Sequence, residues 1–345
     1  MKVLKRSIAL IMACTFMLMA GCKSDKQNTN ETTTIPEEII TSPEYNNYLF
    51  AYFVGDGSGQ ESIYFAVSED GMNWTGLNNG EPVFVSTLGT TGLRDPFIIR
   101  SPEGDKYYLI ATDLCIGKSK DWGKAQTEGS TSIMVWESAD LITWSEQRMA
   151  KINVDTAGCT WAPEAYYNKE IGEYMVFWAS KTADDGYSKQ RIYYVTTKDF
   201  TTFSEPKVWM DYPHSVIDAT IIEEDGIYYR FVKNEETRQI FMESATSLLG
   251  EWTTMESKML KSKHGVEGPA IFEFHEEDVV DGQKYALLLD NYVGIGYYML
   301  TTDSLASGEF IRNTNTTMPA KKPRHGTVIA ITTEEYQALL DKYSN

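Results

Sequence analysis

The chain has little cysteine. It holds four among 345 residues, and only Cys115 and Cys159 lie beyond residue 22. None of them shows the close spacing of a zinc site, which excludes a cysteine-built metal centre. A Cys115–Cys159 disulfide and two buried free thiols beside strand-like runs are both open. Basic charge is also short: 31 Lys and Arg stand against 49 Asp and Glu, a net charge of −18. Phosphate binding needs a surplus of cations, so nucleic acid is excluded as a partner. A neutral polymer remains compatible, as does solubility alone. Long apolar runs are lacking. Ile8 to Met19 is too short for a comfortable membrane span. No amphipathic helical period appears in the body of the chain, which leaves strands as the building material.

The chain opens on a targeting pattern. Lys2, Lys5 and Arg6 precede the apolar run, which ends in Met19-Ala20-Gly21-Cys22. This resembles a bacterial lipobox, with Cys22 lipidated as the new N-terminus. An ordinary signal peptide cleaved nearby is the alternative, and both predict export. The expected division is a signal over 1–21, a tether over 22–45 and a folded domain over 46–345. The tether is rich in Thr, Asn and Glu and has no apolar period. Contact with the membrane is expected only through the lipid, and the domain is expected to be a monomer.

From residue 48 onward a pattern repeats. Aromatic and β-branched runs begin at Tyr48, Tyr107, Tyr174, Tyr228 and Tyr285. A second run follows each, at Ile63, Ile133, Ile192, Ile240 and Tyr297. A Ser/Thr-x-Asp turn follows several of these, as at Asp70, Asp140 and Asp199. An aromatic closes each unit: Trp74, Trp144, Phe203, Trp252 and Phe310. The closers recur at roughly 50 to 70 residues, slightly above the 40 to 50 of a four-stranded propeller blade. The pattern predicts an all-β, five-bladed β-propeller. The strand His325 to Ile331 would complete the N-terminal blade and close the ring, removing open edges. The tail Thr333 to Tyr343 reads as a short helix, with Thr332 and Glu335 as a capping box.

A second marker keeps nearly the same spacing. Asp95, Glu164, Asp218, Glu267 and His325 each open one inner strand, within Arg94-Asp95-Pro96, Trp161-Ala162-Pro163-Glu164, Ile217-Asp218-Ala219, Glu267-Gly268-Pro269 and Arg324-His325-Gly326. All five are expected at one register position, facing the mouth of the channel. Paired carboxylates at such a mouth suit glycosidic bond hydrolysis, where one gives a proton and the other activates water or attacks. Like charges nearby help hold the acid protonated.

In this order the motifs resemble those of glycoside hydrolase family 43, five-bladed propellers acting on arabinan- and xylan-type polysaccharides. The resemblance covers roughly residues 46 to 332. It implies that Asp95 is the general base, Glu267 the general acid and Asp218 the carboxylate that tunes the acid. It implies that Trp161 walls the sugar subsite and that Glu164 replaces an Asp near the substrate. It further implies that His325 lies near a metal ion, often Ca2+, in the channel. No organic cofactor is expected. Each residue has a structural alternative: turn cap for Asp95, buried structural carboxylate for Asp218 and Glu164, surface turn for Glu267, blade packing for Trp161, core histidine for His325. His214, His264, Asp113, Trp122, Asp290 and Tyr292 are further candidates around the mouth. The function expected is an exported hydrolase of α-L-arabinofuranosyl linkages in plant-type polysaccharide or oligosaccharide, by an inverting mechanism. A β-xylosidase and a non-catalytic sugar-binding propeller are the alternatives. A fructan-type hydrolase shares Arg-Asp-Pro, but its other motifs are not found.

Overall fold

The computed structural model describes residues 44–57 and 59–343. The signal, the lipidation site Cys22 and nearly all of the tether lie outside the described residues. Strands β1 (Tyr45–Phe53), β2 (Tyr64–Ser68) and β3 (Thr75–Gly76) begin the first blade. The second is β4 (Leu93–Arg100), β5 (Tyr107–Asp113), β6 (Ser132–Ser138) and β7 (Arg148–Lys151). The third is β8 (Trp161–Asn168), β9 (Glu173–Ser180), β10 (Arg191–Thr197) and β11 (Lys207–Met210). The fourth is β12 (Val216–Glu224), β13 (Ile227–Asn234), β14 (Gln239–Ala245) and β15 (Thr253–Met255). The fifth is β16 (Glu267–Glu273), β17 (Tyr285–Asn291), β18 (Gly296–Thr302) and β19 (Ile311–Asn313). Strand β20 (Arg324–Thr332) returns to pair antiparallel with β1, giving five four-stranded sheets and the expected closed propeller.

Among the described residues the core is not one mass but five seams, one between each pair of neighbouring blades, with a small cluster of Leu114, Ile116 and Ala125 besides. Strand β1 shows why. Tyr48, Phe50 and Tyr52 pack against Phe272, Leu288 and Met299 of the fifth blade. Leu49 and Ala51 pack against Leu109, Met134 and Trp136 of the second. Side chains alternate across a strand, so a blade covered on both faces needs apolar residues at successive positions. That is why Tyr48 to Phe53 reads as an unbroken apolar run. The closing aromatics fill the seams as expected, Trp74 between the first and fifth blades and Phe310 between the fourth and fifth.

The Ser/Thr-x-Asp turns are local devices. Ser68 Oγ donates to Asp70 Oδ1 at 2.9 Å, and Asp70 accepts the Met72 and Asn73 N–H groups at 2.8 and 2.7 Å. Asp140 and Asp199 repeat the arrangement. The final helix, Thr333–Tyr343, carries its capping box: Glu335 accepts the Thr332 N–H at 2.9 Å and Thr332 Oγ1 accepts the Glu335 N–H at 3.2 Å. Its Leu339 and Tyr343 join the seam between the first two blades.

Helix inside the domain departs from expectation. Helices α1 (Ile116–Ser119) and α2 (Trp122–Thr127) lie between β5 and β6, and α3 (Lys258–Lys261) precedes β16. They are too short to print a helical period. Caps define two of them: Asp121 accepts the Lys124 N–H and Ser257 the Leu260 N–H. Cys115 and Cys159 are both free thiols, Cys159 buried.

Candidate active site

Each inner strand breaks its pairing near its start. Strand β4 slips against β5 between Arg94 and Phe97, β8 between Trp161 and Glu164, β12 between Ile217 and Thr220, and β16 between Glu267 and Ala270. Strand β20 slips against β1 around His325. Such β-bulges bend a strand and re-aim a side chain. Asp95, Ala162, Asp218 and Gly268 occupy them with φ of 48°, 49°, 52° and 50°. That left-handed geometry costs a residue with a Cβ about 1 kcal/mol, and Asp tolerates it better than most. A Cβ on Gly268 would stand 2.6 Å from the His325 ring, so glycine permits this close approach.

The expectation of a single register position is therefore corrected. Asp95, Asp218 and His325 sit in the bulge, Glu267 stands immediately before it, and Glu164 is the first paired residue after it. Sequence spacing does not reveal how a bulge offsets the chain.

His325 is the hub of the channel mouth. Its Nδ1 lies 3.4 Å from Asp95 Oδ1 and 3.8 Å from Asp218 Oδ1. Asp95 Oδ2 accepts from the Thr112 hydroxyl at 2.8 Å, and the same oxygen of Thr112 accepts the Ala162 N–H at 2.8 Å. Asp218 Oδ2 accepts the Gly268 N–H at 2.9 Å, which ties it to the residue after Glu267. Glu267 accepts from Lys233 Nζ and from Arg324 Nη2, each at 2.7 Å. Arg324 is anchored in turn by Asp290, fully buried, at 2.5 Å. Side-chain exposure is 14% for Asp95 and 19% for Glu267 but 8% for Asp218, so the first two are more open to solvent than the third.

The electrostatics follow from burial and crowding. Burial pushes Asp95 upward, but the His325 bond and charge, Arg94 and the Thr112 hydroxyl outweigh it and hold Asp95 below the usual carboxylate value. Burial, with the charges of Glu267 and Asp95, raises Asp218 to about 6 against the pull of His325 and Lys233. Burial raises Glu164 to about 8. Burial works against a charged His325, yet Asp218, Asp95 and Glu164 together raise it to about 9. The surroundings therefore favour the charged form of His325 and the protonated form of Glu164.

The remaining candidates separate. Glu164 lies deeper than the others at 4% exposure, against Thr220. Trp161 is half-buried and meets Trp122 edge-on at 6.0 Å, and Trp122 is the more open ring at 44% exposure. Asp113 is buried and fixes the loop before β4 by accepting from Thr90 N and Oγ1, each at 2.8 Å. Tyr292 lies under Lys233, whose Nζ is 4.9 Å from the ring centre. His264 is exposed and sits beside the Thr237 carbonyl. His214 lines a cavity on the fourth blade rather than the channel.

Calcium takes six to eight oxygen ligands. Among the described residues no group of three or more His, Cys, Asp or Glu side chains is arranged to hold a metal ion. His325 aims Nδ1 at two carboxylates and is itself the cation there. These residues do not fit a directly coordinated calcium.

Sequence reasoning gave no role to four residues that build the site: Arg94, Thr112, Lys233 and Arg324. Arg94 pairs with Asp56 and Glu61, and its guanidinium lies 4.4 Å from the Phe53 ring and 5.3 Å from that of Trp122. A signal for Lys233 was present: a lysine directly after the strand-like run Tyr228 to Val232 must be paired if the strand is buried.

The family described as a probable glycosyl hydrolase domain (Glyco_hydro_43_rel) matches residues 43–337. An α-L-arabinofuranosidase of Bifidobacterium longum subsp. longum is 33% identical over 307 residues, 75% of this chain, and the chain spans 28% of that relative's length. The GH43 protein BlXynB of Bacillus licheniformis shares the fold, with a TM-score of 0.53 at 13% identity over 84% of this chain and 56% of its own. An α-L-arabinofuranosidase of Podospora anserina gives a TM-score of 0.46 at 15% identity over 73% of this chain and 75% of its own, too weak a likeness to support inference.

Proposed function

Because the chain belongs to the glycoside hydrolase family 43-related family, we propose that it cleaves α-L-arabinofuranosyl linkages of plant-type polysaccharide or oligosaccharide by a single inverting displacement. The observation that carries this reading is the gathering of Asp95 and Asp218 about His325, with Glu267 beside Asp218, at one mouth.

Inversion needs a carboxylate that takes a proton from water and an acid that protonates the departing oxygen. Asp95 is the base. His325, Arg94 and Thr112 keep it ionised despite its burial, and it is more open to solvent than Asp218. Glu267 is the acid. Its cation Lys233 has a second carboxylate, Glu235, at 2.6 Å, so Lys233 keeps a counter-charge when Glu267 holds a proton. Asp218 is the carboxylate that tunes and orients the acid: burial and the charges of Glu267 and Asp95 raise it, and it accepts the N–H of Gly268 beside Glu267. Trp122 and Trp161 wall the sugar with apolar faces. Export and tethering of a monomer through Cys22 complete the proposal. Loss of lipid labelling in Cys22→Ala checks the tether.

The test is a panel of aryl α-L-arabinofuranoside, aryl β-D-xyloside, arabinan and arabinoxylan, with the first-formed anomer followed by NMR. The expected result is arabinose released with inverted configuration. Cleavage of the xyloside alone moves the activity to a β-xylosidase. Retained configuration, or full turnover in Glu267→Gln and Asp95→Asn, ends the reading.

A further inference from the structure

The fourth blade holds a second concavity. A cavity of about 370 Å3 opens between β14, β15, α3 and the connection from β11 to β12. That size suits a small ligand or one ring of a larger one. Its bed is apolar, with Phe241, Met255 and Leu260. One wall is His214 stacked on Tyr212, ring centres 5.5 Å apart and planes 25° apart. His214 Nε2 is buried and has no hydrogen-bond partner. That nitrogen is closed off from solvent, so other atoms of the His214 ring line the cavity.

The wall is braced from behind. The Tyr212 hydroxyl donates to Glu243 Oε2 at 2.6 Å and accepts from Arg230 Nη2 at 3.2 Å. Arg230 Nε donates to the same carboxylate at 2.8 Å. Arg230 is buried, its guanidinium carbon 4.8 Å from the Trp209 ring centre and 4.1 Å from that of Trp252. A buried ion pair packed against two indoles makes this wall rigid, and a rigid wall lowers the entropy lost on binding.

Charge narrows the ligand. Glu243 Oε1 accepts from the Thr254 hydroxyl at 3.2 Å, so both its oxygens are engaged. Lys261 at the rim pairs with Glu256. The cavity therefore presents apolar and aromatic faces, the polar side chains of Asn234, Thr237 and Thr254, and Gln239, whose Nε2 already donates to the Lys261 carbonyl, with its charges already paired. A neutral ring with C–H faces and hydroxyl edges, such as a sugar, matches that set. The place in the fold matters as well. His214 precedes Asp218 by four residues, so along even a fully extended chain their Cα atoms lie within about 14 Å of each other. An oligosaccharide spans such a distance.

We propose that this cavity is a secondary carbohydrate site that holds a distal neutral ring of the polysaccharide whose bond is cut at the channel mouth. The proposal rests on the reading of the protein as a polysaccharide hydrolase. Its test uses the whole protein with His214→Ala and, separately, Gln239→Ala, neither of which touches Asp95, Asp218 or Glu267. Parent-like melting of at least one variant establishes that it is folded. KM on arabinan or arabinoxylan is expected to rise about fivefold to tenfold in each variant. On an aryl monoglycoside, kcat/KM is expected to stay at the parent value. Calorimetric titration of arabino- and xylo-oligosaccharides into the parent and both variants separates the two readings. Binding by the parent that the variants lose, without cleavage of anything on the panel, sustains the site and ends the catalytic reading. Equal polymer KM in the parent and both folded variants overturns the site, as does oligosaccharide binding that neither substitution changes or that the parent lacks.

Discussion

The seams between blades and the starts of the inner strands come from the same repeat and obey opposite rules. In a seam, pairing is regular, side chains alternate and nearly everything buried is apolar, as with Tyr48 to Phe53. At the strand starts the register slips, left-handed residues appear, and three acids and a histidine crowd together with buried cations. The seam repeats because each blade solves the same covering problem. The strand starts differ because each contributes another part to one site. Asp95, Ala162, Asp218 and Gly268 share a backbone conformation, yet two carry carboxylates, one a methyl group and one no side chain. The bulge is common, and the chemistry is what each blade places in it or beside it.

The contrast can be broken from either side. The largest effect is expected at the strand starts. Glu267→Gln and Asp95→Asn should each lower kcat/KM at least about 1,000-fold while shifting Tm by no more than about 2 °C. A comparable loss of Tm would mean that these carboxylates hold the fold. In the seam the reverse is expected. Leu109→Ala, at a fully buried position, should cost about 3 kcal/mol in denaturant unfolding and leave kcat of the folded protein unchanged.

Glu164 joins the two regions, and its effect depends on pH. Its folded value of about 8 lies above its ordinary value of 4.5. The folded state therefore holds a proton that the unfolded chain releases. Stability is lost as pH rises from the ordinary value to the folded one and changes no further above it. Glu164→Gln should remove that slope. The variant should gain on the parent progressively over this window, by up to roughly 5 kcal/mol, read as melting temperature against pH. Parallel curves would place the ionised form in the fold. The smallest effect is expected at a blade turn. Asp70→Ala removes the acceptor of the Met72 and Asn73 N–H groups and should cost about 1 kcal/mol without touching activity.

Much of the seam was legible along the chain. Apolar runs at Tyr48, Tyr107, Tyr174, Tyr228 and Tyr285, each followed by a second run and an aromatic closer, are what a sheet covered on both faces must look like. Closure by the strand after His325 followed from one unmatched strand at each end. The capping box at Thr332 and Glu335 was legible because both partners lie within one helical turn. The short helices α1, α2 and α3 were not, since a helix of four to six residues leaves no period. Lys233 with Glu267, Arg324 with Asp290 and Arg230 with Glu243 were not legible either. Those partners meet through pairing and blade order, which no local pattern encodes.

The order of residues alone settled the five blades, their closure and which acids open the inner strands, because covering a sheet on two faces imposes a periodic pattern that survives in one dimension. Folding in three dimensions settled the rest: which carboxylate lies in a bulge and which beside it, which is ionised and which protonated, and which cation holds each. Those properties depend on distances between groups remote in the chain and on how far burial removes them from water, and a linear pattern carries neither.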